Sequence, residues 1–168
     1  YATKAMEALR TESAEKIADI FRYGAIPLGA INGALAYHLT GGDAAEATRA
    51  MIPAAAMFGV GELLRMGADY ARYGTSNIFH NIGRGLTIAA PLIASYFLSD
   101  GSYQPAAYLG PIALWGAAQL PYDAGRGMRE EEIGREILET DRSEALRTIS
   151  NLPDKELARI IGKAAKRR

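Results

Sequence analysis

Four charged residues at helical spacing are the first candidates for buried chemistry. Glu62, Arg65, Asp69 and Arg72 lie in Glu62-Leu-Leu-Arg65-Met-Gly-Ala-Asp69-Tyr-Ala-Arg72, where an apolar run ends. Residues three apart share a helix face, so Glu62 faces Arg65 and Asp69 faces Arg72. An acid inside an apolar helix is a candidate step on a proton or ion path. An acid with a base one turn away can also neutralise itself. The expectation is therefore an ion-pair ladder where a helix leaves an apolar phase, with the path as the alternative. Asn32 and Gln119 fall near the middle of two other apolar runs, where amides bond between helices. A path through the chain would use them with Glu62.

Other reactive groups are sparse. The chain has no cysteine, which removes disulfides and thiolate chemistry. His38 and His80 are its two histidines. They are expected at opposite ends of apolar segments, separated by a thickness of about 30 Å, so they cannot share a metal or a haem. Gly83-Arg-Gly85 and Gly125-Arg-Gly127 follow no strand and include no Gly-Lys-Ser/Thr element, so they do not read as phosphate loops. Ser95 and Ser99 lack a neighbouring His and Asp for nucleophilic catalysis. No enzyme activity, cofactor or metal is expected. Nineteen bases balance nineteen acids, so no overall field attracts nucleic acid, and no nucleic-acid partner is expected.

The elements that hold these residues are four Gly- and Ala-rich apolar stretches, Tyr23–Leu39, Ala50–Leu64, Ile82–Leu98 and Pro105–Leu120. Their flanking charges are sorted. The connections Gly41–Thr48 and Ser99–Gln104 carry acids and no Lys or Arg, with Arg49 just beyond. The first arm, the connection Arg65–Arg84 and the C-terminal tail are rich in bases. This alternation follows the positive-inside rule for four spans with both ends cytoplasmic. Tyr96, Tyr103 and Tyr108, and on the other side Tyr70, Tyr73 and Tyr122, resemble two aromatic belts. The mean hydropathy is just below zero because charged arms dilute the apolar middle. Stretches this short and Ala-rich suit helices packed on protein, and Gly29 and Gly33 form a small-xxx-small pair for close packing.

The expected fold is all-α: an integral membrane four-helix bundle of two tandem αα-hairpins. Residues 1–22 form an amphipathic N-terminal helix, 23–124 the four-span domain, and 125–168 a polar helical tail. Matches between 20–73 and 78–127 suggest a duplication: Ile20-Phe21 with Ile78-Phe79, Tyr37–Gly42 with Tyr96–Gly101, Pro53 with Pro111, and Asp69–Arg72 with Asp123–Arg126. Such hairpins share one orientation, as parallel repeats do. Helix breaks are expected at Gly41-Gly42, at Ser76 or Asn77, and at Gly125-Arg-Gly127. Three short helices should follow, about Arg129–Glu139, Arg142–Ser150 and Pro153–Lys166.

In the last of these, Leu157, Ile160, Ile161 and Ala164 form an apolar stripe beside Lys155, Arg159, Lys163, Lys166 and Arg167. It suits docking on the bundle or on a partner. The chain starts at Tyr1, so a processed chain, a fragment or part of a longer protein is expected. Residues Tyr1–Arg22 have no apolar core of the kind a signal peptide needs. The expected role is a structural or accessory subunit of a membrane-embedded assembly, with membrane lipid and other subunits or further copies as partners. A small channel or transporter with Glu62 in its path is the alternative. A phage-type or toxin-type segment that inserts into membranes is the second.

Overall fold

The computed structural model describes residues 2–75, 77–101 and 105–166, with side chains omitted for 105–107. Ser76, Gln104, Tyr103 and Arg167, which carried sequence expectations, lie outside the described residues. All regular structure among the described residues is helical: α1 Ala2–Leu9, α2 Glu12–Leu39, α3 Ala44–Arg49, α4 Ile52–Tyr73, α5 Ile78–Ser99, α6 Pro105–Glu139, α7 Arg142–Ile149 and α8 Asp154–Ala165.

Local chemistry sets the boundaries. Thr11 caps α2 by accepting from Ala14 N–H, so the first arm breaks here and α2 runs on through the first apolar stretch. The expected single arm over 2–21 is thus divided between α1 and α2. Asp43 caps α3 through the N–H groups of Ala45 and Glu46. Pro53 enters at the second position of α4, where its missing N–H does least harm. Asn77 caps α5 by accepting from His80 N–H. Gly41, Gly42, Gly74 and Gly101 take positive φ in the turns. The break expected at Gly125-Arg-Gly127 is absent: α6 runs unbroken from Pro105 to Glu139. Both glycines there keep helical backbones, because close packing at Gly125 outweighs their weak helix propensity.

The long helices pack as two antiparallel hairpins, α2 with α4 and α5 with α6, joined along α4 and α5. Register in the first hairpin is fixed by small residues. Gly29 faces Ala54, Gly33 faces Met51, and Gly61 lies against Ala18 and Arg22. In the second hairpin Gly83 lies on Tyr122 and Gly125 on His80. Both hairpin turns fall at one end, where Gly101 abuts Ala45 and Arg49. The opposite end carries α1, the turn at Gly74, α7 and α8. Arg10 donates to Ala71 O, and Arg129 donates to Tyr73 O.

The interior of the bundle holds charge, and many large apolar side chains are exposed. Buried positions include Arg22, Glu62, Asp69, Arg72, His80, Arg84, Glu130 and Glu156, and the buried apolar set is mostly alanine. Ile20, Ile26, Ile31, Leu35, Leu39, Leu63, Ile82, Leu92, Tyr96, Leu109, Ile112 and Leu120 are exposed. Among the described residues one helix, α5, is long and apolar enough to cross a membrane by length and composition. The other three long helices do not meet that measure.

Candidate functional site

The charged residues of α4 project into the interior, and each takes its partner from another helix. Glu62 is fully buried and accepts from Arg22 Nε of α2. Arg22 also donates to Asp19 Oδ1 at 3.0 Å. Its guanidinium lies over the rings of Tyr23, at 5.2 Å, and Trp115, at 6.0 Å. Arg65 donates to Gln119 Oε1 of α6 at 3.3 Å and lies over the Tyr122 ring at 4.6 Å. Gln119 Nε2 reaches Thr87 Oγ1 at 3.5 Å and Trp115 O at 3.1 Å. Asp69 faces His80 of α5, with Oδ2 and Nε2 separated by 3.8 Å. Arg72 reaches Glu15 of α2 at 3.2 Å and Glu156 of α8 at 3.5 Å, and donates to the carbonyls of Arg10 and Thr11.

The expected self-neutralising ladder is therefore replaced by cross-helix pairing. Its residues do share one face of α4. That face looks into the bundle, however, where a partner on a facing helix approaches better than one a turn away on the same surface.

Asn32 is half-buried on α2. It lies ten residues from Arg22, the partner of Glu62, which is about 15 Å along the helix axis at 1.5 Å per residue. Glu62 and Asn32 are thus not brought together, whereas Arg65 and Gln119 are.

Two residues missed as site members are central. His80, expected at a span end, is 1% exposed and packs edge-on to Tyr122 with ring centroids 4.7 Å apart. Arg84, the middle of one Gly-Arg-Gly motif, is buried and donates to Gly74 O at 3.0 Å and to Asn81 Oδ1 at 3.1 Å. Arg126, the middle of the other motif, donates to Glu156 at 3.0 Å and to Glu130 at 3.3 Å. The first glycine of each motif makes a close α5–α6 contact, with Gly83 on Tyr122 and Gly125 on His80. The pairing of two identical tripeptides was the available signal. Reading each only as a phosphate loop hid it.

The polar row ends at α8. Ile160 is 1% exposed and clusters with Tyr73, Ile133 and Leu152, with Leu157 packed alongside. Ile161 is half-buried and Lys166 exposed. Lys163 Nζ reaches Glu130 at 2.7 Å, and Arg159 binds the same carboxylate. Glu156 accepts from the Tyr73 hydroxyl. Burial pushes the Glu156 carboxyl above its ordinary range, against the opposing pull of Arg159 and Arg72.

An apolar cleft of about 420 Å³ opens between the hairpins, with Tyr23, Ile26, Phe58, Pro91, Ile112 and Trp115 among its walls and Arg22 at its edge. Among the described residues no group of three or more His, Asp or Glu side chains could hold a metal ion. No known protein family, curated protein or solved structure matches this chain.

Proposed function

We propose that this chain is a helical subunit embedded in a membrane, where it acts by packing against lipid and other protein. One observation carries the proposal: charge lies inside along α2, α4 and α5, and large apolar side chains lie outside along these helices and the first half of α6. Soluble monomers rarely expose apolar patches beyond a few hundred Å², and such patches mark interaction surfaces. The role is that of a structural or accessory subunit. Small-residue contacts at Gly29, Gly33, Gly61, Gly83 and Gly125 hold the hairpins together and leave their outer faces free for partners.

Topology supports the reading. Both hairpin turns lie at one end, and α1, α7 and α8, with Lys4, Arg142, Arg147, Lys155, Arg159 and Lys163, at the other. In a membrane this arrangement puts the N- and C-terminal segments on one side, which the positive-inside rule makes cytoplasmic. The chain has no cysteine of its own, so single cysteines at Gly42, Gly101, Gly74 and Gly162 make clean accessibility probes. The expected result is that Gly42→Cys and Gly101→Cys label from one side, and Gly74→Cys and Gly162→Cys from the other. Labelling of all four from one side, or a chain that stays soluble and monomeric without detergent, would overturn the proposal. The soluble outcome would favour a segment stored in water and inserted later.

A second reading, a proton or ion path, is favoured by buried polar atoms that lack hydrogen-bond partners, Glu62 Oε2 among them. Flux through proteoliposomes, compared between the parent and Glu62→Gln, tests it. Equal or absent flux removes it.

A further inference from the structure

Two buried groups with unpartnered polar atoms face one another across the joint between the hairpins. Asp69 of α4 is 2% exposed and His80 of α5 is 1% exposed. Asp69 Oδ2 and His80 Nε2 are 3.8 Å apart, and neither has a hydrogen-bond partner. That separation is too long for a direct hydrogen bond. A buried carboxylate without a hydrogen bond is among the costliest arrangements in a protein interior.

The site is nonetheless firmly built. His80 N–H donates to the Asn77 cap at 3.1 Å. Gly125 lies so close behind His80 that a Cβ there would stand 2.2 Å from its backbone nitrogen. The imidazole is flanked by Tyr122, at 4.7 Å, and Tyr73, at 6.3 Å between ring centroids.

We propose that Asp69 and His80 form a proton-binding centre. One proton, taken from solvent, is shared between Oδ2 and Nε2. With it the imidazole is an imidazolium whose Nε2–H faces the Asp69 carboxylate, and no other bond forms or breaks. Proton uptake closes the gap between α4 and α5 and tightens the joint between the two hairpins.

Other titratable and charged groups surround the pair. On α4 Tyr73 packs against the imidazole. On α5 there is Arg84, whose Nε and Nη2 also lack partners. On α6 they are Tyr122, whose hydroxyl is likewise unpartnered, and Arg126, which lies over the Tyr73 ring at 5.5 Å. Arg65 of α4 lies against Tyr122, and Glu156 of α8 against Tyr73. The centre depends on the interior alone and so stands apart from the membrane proposal.

The test uses the full chain with His38→Gln, which leaves His80 as the single histidine. Imidazole nitrogen and carboxyl carbon resonances are followed by NMR from pH 4 to 9. The expected result is one shared midpoint for His80 and Asp69, and at least tenfold weaker proton binding at His80 in Asp69→Asn. An imidazole that never titrates, or that titrates identically in Asp69→Asn, would overturn the centre. If Asp69→Asn does not fold, separate midpoints for His80 and Asp69 in the His38→Gln chain do the same.

Discussion

Replacing Gly125 with alanine should separate α5 from α6, whereas the same change two residues on should stabilise the chain. A Cβ on Gly125 would stand 2.2 Å from His80 N, 2.6 Å from its Cα and 2.7 Å from its Cβ. Ordinary contact begins at 3.4 Å, and the backbone cannot rotate aside, so the helices have to part by about 1 Å. Forcing a methyl into a packed interior costs about 1–3 kcal/mol, and contact with backbone puts this case at the upper end. Better helix propensity returns about 1 kcal/mol, leaving a net loss of about 2 kcal/mol. At about 2–4 °C per kcal/mol for a chain of this size, Gly125→Ala lowers the melting temperature by about 4–8 °C. At Gly127 nothing lies within 4 Å of the new methyl. Gly127→Ala therefore gains about 1 kcal/mol and melts about 2–4 °C higher. Thermal melts by circular dichroism in mild detergent read both. A Gly125→Ala chain as stable as Gly127→Ala would refute the close crossing, and with it the placement of His80.

Three further outcomes follow from the charged interior. Glu62→Leu alone removes the buried partner of Arg22, leaving it the half-exposed Asp19, and should cost about 3 kcal/mol, whereas Arg22→Met with Glu62→Leu recovers most of that loss; chemical denaturation of the parent and both variants decides, and a double variant no better than Glu62→Leu would contradict the pairing. Ile160→Asp should release α8, since even truncating such a residue costs about 2–5 kcal/mol; protease cleavage at 150–153 then accelerates, while 1 M salt alone leaves α8 docked because the apolar cluster is not screened. The raised Glu156 carboxyl means that the folded chain holds this proton more tightly than the unfolded chain does. Docking of α8 should therefore be strongest at acid pH and weaken as pH rises through the raised value. Amide exchange in α8 against pH measures this, and Glu156→Gln should flatten the slope; an unchanged slope would assign it to another group.

Much of the architecture was legible because it rests on local signals. Gly41-Gly42, Asp43 and Asn77 mark helix ends by turn and capping chemistry, and the four apolar stretches became α2, α4, α5 and α6. The glycines of Gly125-Arg-Gly127 misled, because glycine ends a helix only where no neighbour demands its small size. In α6 the demand comes from His80, a residue 45 positions earlier in the sequence, and nothing local announces it. Pairing of the α4 charges was illegible for the same reason. Residues Glu62 and Arg65 share a face whether they bind one another or reach across to Arg22 and Gln119. Spacing along one helix cannot separate these cases, since the facing helix decides.

The composition of the interior has a consequence for what holds the fold together. The buried apolar residues of the hairpins are largely Ala18, Ala25, Ala54, Ala68, Ala71, Ala90 and Ala118. Burial stabilises in proportion to apolar area, about 25 cal/mol per Å², and alanine offers little of it. Buried charge opposes folding unless every partner is in place. The area that could drive association therefore lies on the outside, in Ile20, Ile26, Leu35, Leu63, Leu92 and Ile112. Alanine and glycine bring the backbones close, the stems of arginine and glutamate fill the space that remains, and the larger side chains are turned outward. Such a helical layer is self-consistent only when its outer face is covered. Its stability should accordingly follow the detergent, lipid or subunit that covers it more closely than any single interior contact.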